Sequence, residues 1–220
     1  MTHTKKGFTL IELLIVIGIL AILATTVVLV LNPAQLLAET RDTQRFSDLD
    51  SLKSAIALYL TAVSSPDLSS GSFLCRDETP PGRFGSSLAG APSPFGTTGS
   101  FPAIANAGVR AVDGTGWVAV DFTNAALGGS PIPTLPIDPS QQLGTGGLPG
   151  TGRYYAYTCN NANKTFELNA NLESTKYSAG GPSDREGSDG GTFATDGVAA
   201  QSLIFANLVY EVGNDPGLDL

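Results

Sequence analysis

The longest apolar stretch of the chain lies close to its start, over residues 8–31, and its only ionised side chain is Glu12. Roughly 24 residues at about 1.5 Å each make a helix long enough to cross the ~30 Å hydrocarbon core of a bilayer. A carboxylate inside such a span costs roughly 2.5–3.5 kcal/mol, so it needs a partner or a task. Asn32-Pro33 follows. Proline removes a helical hydrogen bond, which predicts a bend or local unwinding over 29–33 before the helix resumes. Over 34–63 the pattern turns amphipathic. Phe46, Leu49, Leu52, Ile56, Tyr59 (or Leu60) and Val63 recur at three- and four-residue steps, which predicts one apolar stripe packed on a sheet. Glu39, Arg41, Asp42, Arg45, Asp48, Asp50 and Lys53 fill the remaining positions and read as solvated surface. Ser64-Ser65-Pro66 ends the helix, because the residue before proline is pushed out of helical geometry.

Beyond the helix the period changes. Residues 66–115 are rich in turn formers, with Pro80-Pro81-Gly82 and Ala91-Pro92-Ser93-Pro94 the strongest signals. A short helix is expected over 103–111. Residues 117–122 alternate as a strand would, with Trp117 as a core anchor, and 131–139 are extended and stiffened by prolines. The best hairpin pairs 153–159 with 165–172 across a turn at 160–163. A last strand is expected over 202–212, with a turn and tail after it. Together these predict an α+β chain.

Composition narrows the chemistry. The chain has 220 residues, of which 26 are glycine and 14 proline, so the part after the helix is loop-rich. The net charge is −8, and an acidic surface argues against nucleic acid as a partner. Cys75 and Cys159 make one disulfide outside the cytoplasm, or two buried thiols. Ser183, Asp184, Glu186, Asp189 and Asp196 sit among glycines. Oxygen ligands of this kind suit Ca²⁺, with Asp184 and Asp189 the candidate ligands, and a plain solvated acidic loop is the alternative. His3 is the single histidine, so the rest of the chain holds no Ser-His-Asp or Cys-His arrangement and no His/Cys zinc cluster. A phosphate-cradling Gly-rich loop with Lys-Ser/Thr is also absent. No enzyme is indicated.

Lys6-Gly7-Phe8-Thr9-Leu10-Ile11-Glu12, behind Lys5, resembles the class III signal of type IV pilins and of the pseudopilins of type II secretion and DNA-uptake systems. The resemblance implies cleavage after Gly7 by a prepilin peptidase, N-methylation of the new terminus at Phe8, and a role for Glu12 in assembling subunits into a filament. It implies a pilin-like fold, with the long helix packed on a small antiparallel sheet. Residues 1–7 would be the leader, 8–31 the transmembrane helix, 32–65 its amphipathic continuation and 66–220 an extracytoplasmic domain. Leu135-Pro136-Ile137-Asp138-Pro139, Tyr154-Tyr155-Ala156-Tyr157 and Phe166-Glu167-Leu168-Asn169-Ala170 look like the sheet region of major pseudopilins, without their aspartate-glycine-glycine tail. Related major pseudopilins bind calcium after the sheet, and a melted stretch near the helix proline lets pilin-like filaments extend.

The residues carry a physical account beside the resemblance. Along its own helix Glu12 is expected to have no partner. The Phe8 amine of one subunit can neutralise the Glu12 of its neighbour, removing two desolvation problems together. Methylation keeps the positive charge. The alternative is a Glu12 that snorkels to the interface. Lys5 and Lys6 hold the amino end in the cytoplasm, with the rest of the single-pass chain periplasmic or extracellular. Losing those two lysines with the leader takes the side-chain charge from −8 to −10. In a packed filament the charges of 39–50 can pair between subunits.

An ordinary signal peptide is the competing reading of the N-terminus, though Ala21-Ile22-Leu23-Ala24 does not fit its cleavage spacing. The expected role is therefore a structural subunit of a type IV pilus or a secretion pseudopilus. Its partners would be the peptidase, like subunits, an inner-membrane assembly platform and membrane lipid. The alternatives are a membrane-anchored module binding Ca²⁺ or a protein ligand, a DNA-uptake pseudopilin, and an enzyme secreted behind a signal peptide.

Overall fold

The computed structural model describes residues 7–69, 75, 85–88, 109–142, 152–178, 181–183, 185 and 209–214. In chain order they form α1 (Leu10–Leu31), α2 (Pro33–Ala62), β1 (Gly85–Ser86), a 3-10 turn at Ala125–Leu127, β2 (Tyr155–Asn160), β3 (Thr165–Asn171) and β4 (Val209–Gly213). Two compact units result, Met1–Ala38 and Glu39–Leu220. The architecture is α+β and pilin-like: an apolar N-terminal helix, a second helix and a small antiparallel sheet.

In the first unit the break expected near the proline falls on Asn32, at φ 37° and ψ 75°. Asparagine is one of the few side chains that tolerates this left-handed geometry. The Asn32 carbonyl accepts the N–H groups of Gln35 at 2.9 Å and Leu36 at 3.3 Å, so the residue that closes α1 also opens α2. Pro33 then occupies the first helical position, where its missing N–H leaves no bond unmade.

In the second unit α2 lays Leu49, Leu52, Ala55, Ile56 and Tyr59 into the core, as their spacing predicts. It ends at Ala62, with the Val63 N–H still bonded to the Tyr59 carbonyl, just short of Ser64-Ser65-Pro66. The sheet has the order β1-β2-β3-β4, every pair antiparallel. Its register places Tyr157 opposite Leu168 and Leu168 opposite Val212. The two-residue period of a strand therefore gathers Tyr155, Tyr157, Cys159, Phe166, Leu168, Ala170, Tyr210 and Val212 on one face. All are buried in the cluster that contains the α2 stripe. The Tyr210 ring meets Phe46 of α2 edge-on at 4.6 Å. A disulfide ties Cys75 to Cys159 on β2, across 84 residues of chain.

The expected hairpin is β2–β3. The strand expected over 117–122 does not form; Asp113 and Asp121 make only an isolated bridge. Alternation there was misleading because Trp117, Val118, Ala119, Val120 and Phe122 are all buried, so both sides of the segment are packed. The Trp117 and Phe122 N–H groups bond to the carbonyls of Val109 and Val112, at 2.9 and 2.8 Å. Asp113 and Asp121 each fold the chain by accepting from the threonine two residues on. Trp117 is a core anchor, donating its indole N–H to the Pro136 carbonyl at 3.1 Å. Residues 109–111 are not helical, and 103–108 of that expected helix lie outside the described residues, as do 202–208 of the expected last strand.

The charges of α2 depart furthest from expectation. Asp42 and Arg45, read above as solvated surface, are fully buried, together with Asp138. Arg45 grips Asp138 with two donors, Nε at 2.7 Å and Nη2 at 2.8 Å, while Nη1 donates to Asp42 at 2.8 Å. Nη2 also reaches Glu173 and the Ser140 hydroxyl. Arg41 adds a second fork onto Glu173, at 3.1 and 2.6 Å. Asp42 accepts the backbone N–H groups of Glu173 and Ser174, at 2.9 and 2.8 Å. Further out, Lys176 pairs with Glu39 at 3.1 Å. The partners are therefore found within one chain rather than in solvent, because 138–140 and 173–176 return to the same stretch of α2.

Burial alone would push the Glu173 carboxyl up, but hydrogen bonds from Arg41, Ser140 and Arg45 overcome it and hold the group at about 2. The Arg45 guanidinium is held above its ordinary range: burial works against its charge, and Asp138 and Glu173 outweigh it. A carboxyl depressed from 4.5 to about 2 on folding stabilises the fold above the unfolded value, and that contribution disappears as pH falls through about 2. Denaturant midpoints of the wild type should therefore fall between pH 4.5 and about 2, whereas Glu173→Gln should start lower at neutral pH and lose less over that window; parallel curves would reject the assignment. The disulfide gives a second expectation. Cys75→Ser with Cys159→Ser should lower stability by about 4 kcal/mol on the chain-entropy account of so long a loop. The unreduced, unfolded wild type should offer no thiol to a labelling reagent.

Candidate functional site

Gly7, Phe8 and Thr9 lead into α1 in non-helical conformation, and all are exposed, Phe8 to 91%. A side chain added at Gly7 would meet no described residue, so no packing among them asks for glycine there. Thr9 is the N-cap, at φ −80° and ψ 151°. Its hydroxyl accepts the Glu12 N–H at 3.3 Å. In return Glu12 accepts the Thr9 N–H at 2.8 Å and the Thr9 hydroxyl at 2.7 Å. This reciprocal arrangement is a capping box, which satisfies donors that the start of a helix otherwise leaves orphaned.

The capping box corrects the expectation that Glu12 has no partner in its own helix. Both Thr9 donors go to the same oxygen, Oε2. Oε1 takes no hydrogen bond from a described residue, so the carboxylate can accept another donor without giving up its cap. The sequence signal was present: Thr9 and Glu12 stand at the capping-box spacing directly before an apolar run.

Over residues 10–27 α1 buries nothing against the described residues. Residues 10–27 are exposed on every side, and Leu10–Val27 has a mean hydropathy of 2.7, enough by length and composition to cross a membrane. A helix apolar all round has no solvent face, so it calls for lipid or other apolar chains on every side. Its polar groups are already satisfied for such surroundings. Thr25 and Thr26 donate their hydroxyls to the carbonyls of Ala21 and Leu23, at 2.9 and 2.8 Å. Gly18 has open space beside it, where another helix can approach closely.

The other sequence candidates lie elsewhere. Lys5 and Lys6 fall outside the described residues, as do Asp184 and Asp189, the candidate Ca²⁺ ligands. Among the described residues no group of three or more His, Cys, Asp or Glu side chains is placed to hold a metal. Cys75 and Cys159 belong to the second unit, where they are buried and bonded to each other. Arg45, Asp138 and Glu173 were missed as a group because their contacts join positions about a hundred residues apart. No local pattern carries such a pairing.

What the site offers is an exposed, non-helical Gly7–Phe8 bond, a capped carboxylate four residues beyond Phe8, and an apolar helix with no covering of its own. No curated protein and no solved structure matches the chain. One family model does: residues 2–28 match the prokaryotic N-terminal methylation motif. The chain therefore carries, on the segment that folds as the capped start of α1, the N-terminal signal of type IV pilins and pseudopilins.

Proposed function

We propose that this chain is a structural subunit that a prepilin peptidase cuts after Gly7 and that then assembles, through α1, into a filament of the type IV pilus or type II secretion pseudopilus class. The observation that carries the reading is the coincidence of the methylation motif at residues 2–28 with a helix whose apolar surface is exposed all round. Membrane lipid covers that surface before assembly, and the helices of like subunits cover it afterwards. Lys5 and Lys6 keep the amino end on the cytoplasmic side, where the cut is made, and the second unit lies across the membrane.

Cleavage creates a cationic terminus at Phe8, and methylation leaves that charge in place. In an apolar filament core it needs an anion, and Glu12 of a neighbouring subunit supplies one. The capping box prepares the carboxylate for this. Oε2 stays with Thr9, which fixes the side chain's direction, and Oε1 receives the neighbour's amine. A subunit docked out of register leaves both charges buried without a partner, at about 3–5 kcal/mol for the pair. The charge contact thus sets the axial register of helices whose apolar surfaces would tolerate many.

Mass analysis of the protein recovered from membranes should find a chain that begins at methylated Phe8. A chain beginning beyond residue 20 would overturn the reading in favour of a secretory signal peptide. For the mechanism, Glu12→Gln is the sharper variant, since glutamine can keep the cap but brings no charge. It should be processed normally and need roughly 1,000-fold more protein to polymerise, as should Glu12→Ala. Filaments from Glu12→Gln at wild-type yield would sink the charge-pairing mechanism.

A further inference from the structure

The helix–sheet contact of the second unit has two chemically different halves. From Phe46 onward α2 is held mainly by apolar packing, with Leu49, Leu52, Ile56 and Tyr59 in one cluster with the inner face of the sheet and a hydrogen bond from the Tyr155 hydroxyl to Asp48 at 2.8 Å. Between Glu39 and Arg45 it is held by ion pairs and charge-assisted hydrogen bonds to two returning loops. The order matters, because the ionic half is the first part of the unit reached along the chain from α1. We infer that this cluster is a mechanical latch: it fixes α2 against axial sliding on the sheet when load enters through α1.

Apolar contact is non-directional. A stripe of leucines and isoleucines shifted along a sheet exchanges apolar neighbours for others of the same kind, so it resists slow separation better than shear. The Arg45 fork behaves otherwise. Two parallel donors on Asp138 and one on Asp42 demand fixed positions, and Arg45, Asp138 and Asp42 have no access to water. A slip of one helical turn, about 5.4 Å, carries the Arg45–Asp42 pair along with the helix but breaks both bonds to Asp138 together and leaves that buried carboxylate uncompensated. Arg41 on Glu173, and Asp42 on the Glu173 and Ser174 N–H groups, secure a second loop to the same turns of α2. The latch therefore grips 138–140 and 173–174, on either side of the β2–β3 hairpin, and passes axial pull into the sheet from both sides.

A buried ion cluster can often be replaced by apolar groups with little loss of equilibrium stability. A latch therefore differs from an ordinary stabilising contact in its response to load. The force-bearing role rests on the filament reading above, but the measurement is made on single chains and does not need polymerisation, so the two can fail separately. The full-length chain in a lipid nanodisc would be held in magnetic tweezers by handles at residue 34, exposed on α2, and at the C-terminus. Arg45→Met combined with Asp42→Asn and Asp138→Asn keeps the Ser140 turn, removes the fork and leaves neither buried carboxylate without its cation. Its thermal midpoint should stay close to wild type, while its rate of opening at constant load rises about 100-fold. Glu173→Gln, which leaves Arg45 on Asp138, should raise that rate about 10-fold, and it decides the matter alone if the triple variant does not fold. Variants whose opening rates rise no more under load than without it would overturn the latch and leave the cluster a contributor to stability only.

Discussion

One guanidinium joins three parts of the second unit that sequence keeps far apart. Arg45 leaves α2, meets Asp138 before the hairpin and Glu173 after it, and has a second carboxylate, Asp42, on its own helix. Burying a charge is costly unless every donor finds an acceptor. Arg45 satisfies that condition only when the loops at 138–140 and 173–174 arrive together. The apolar core supplies most of the driving force for collapse, as cores do, but it specifies position weakly. The ionic cluster specifies position strongly and contributes less net free energy, and the fold uses each on a different stretch of one helix.

The first unit solves the opposite problem. Over residues 10–27 α1 has apolar surface on every side and no described residue covers it, so that surface calls for other molecules. In that setting a single carboxylate carries unusual weight. Oε2 of Glu12 is held by Thr9 and Oε1 takes no bond from a described residue, so one side chain both starts the helix and presents a charge. That doubling accounts for an acid near the head of a span where acids are expensive. On the filament reading the two units share a logic, since in each a buried or buriable charge would fix register for apolar surfaces that would otherwise slide.

Much of this was legible in the sequence, and the parts that were not share a cause. The apolar run, the break at Asn32-Pro33, the stripe from Leu49 to Tyr59 and the β2–β3 hairpin follow from local periodicity and turn chemistry, and they stand in the structure close to where the pattern puts them. The capping box is equally local, with Thr9 and Glu12 three residues apart directly before an apolar run. The segment 117–122 misled because alternation signals a strand only when one face is wet, and here both faces are packed. The ionic cluster could not be read at all. Nothing within ten residues of Arg45 distinguishes it from Lys53, which is exposed, since the distinction is made by Asp138 and Glu173.

The placement of the cluster has a further consequence for the filament reading. If the polar positions from Glu39 to Arg45 were apolar instead, apolar helical surface would run on past the break at Asn32, and the surface given to lipid or to neighbouring subunits would have no defined end. Leu36 and Leu37 still carry exposed apolar surface past the break. Glu39, Arg41, Asp42 and Arg45 then close it abruptly. Because the last two are neutralised within the chain, this boundary does not depend on solvent to hold the charges apart from apolar surroundings. On that reading the helix first sits in a bilayer and then leaves it, so it needs such an end in both settings, and charges buried against the chain's own loops provide it in either.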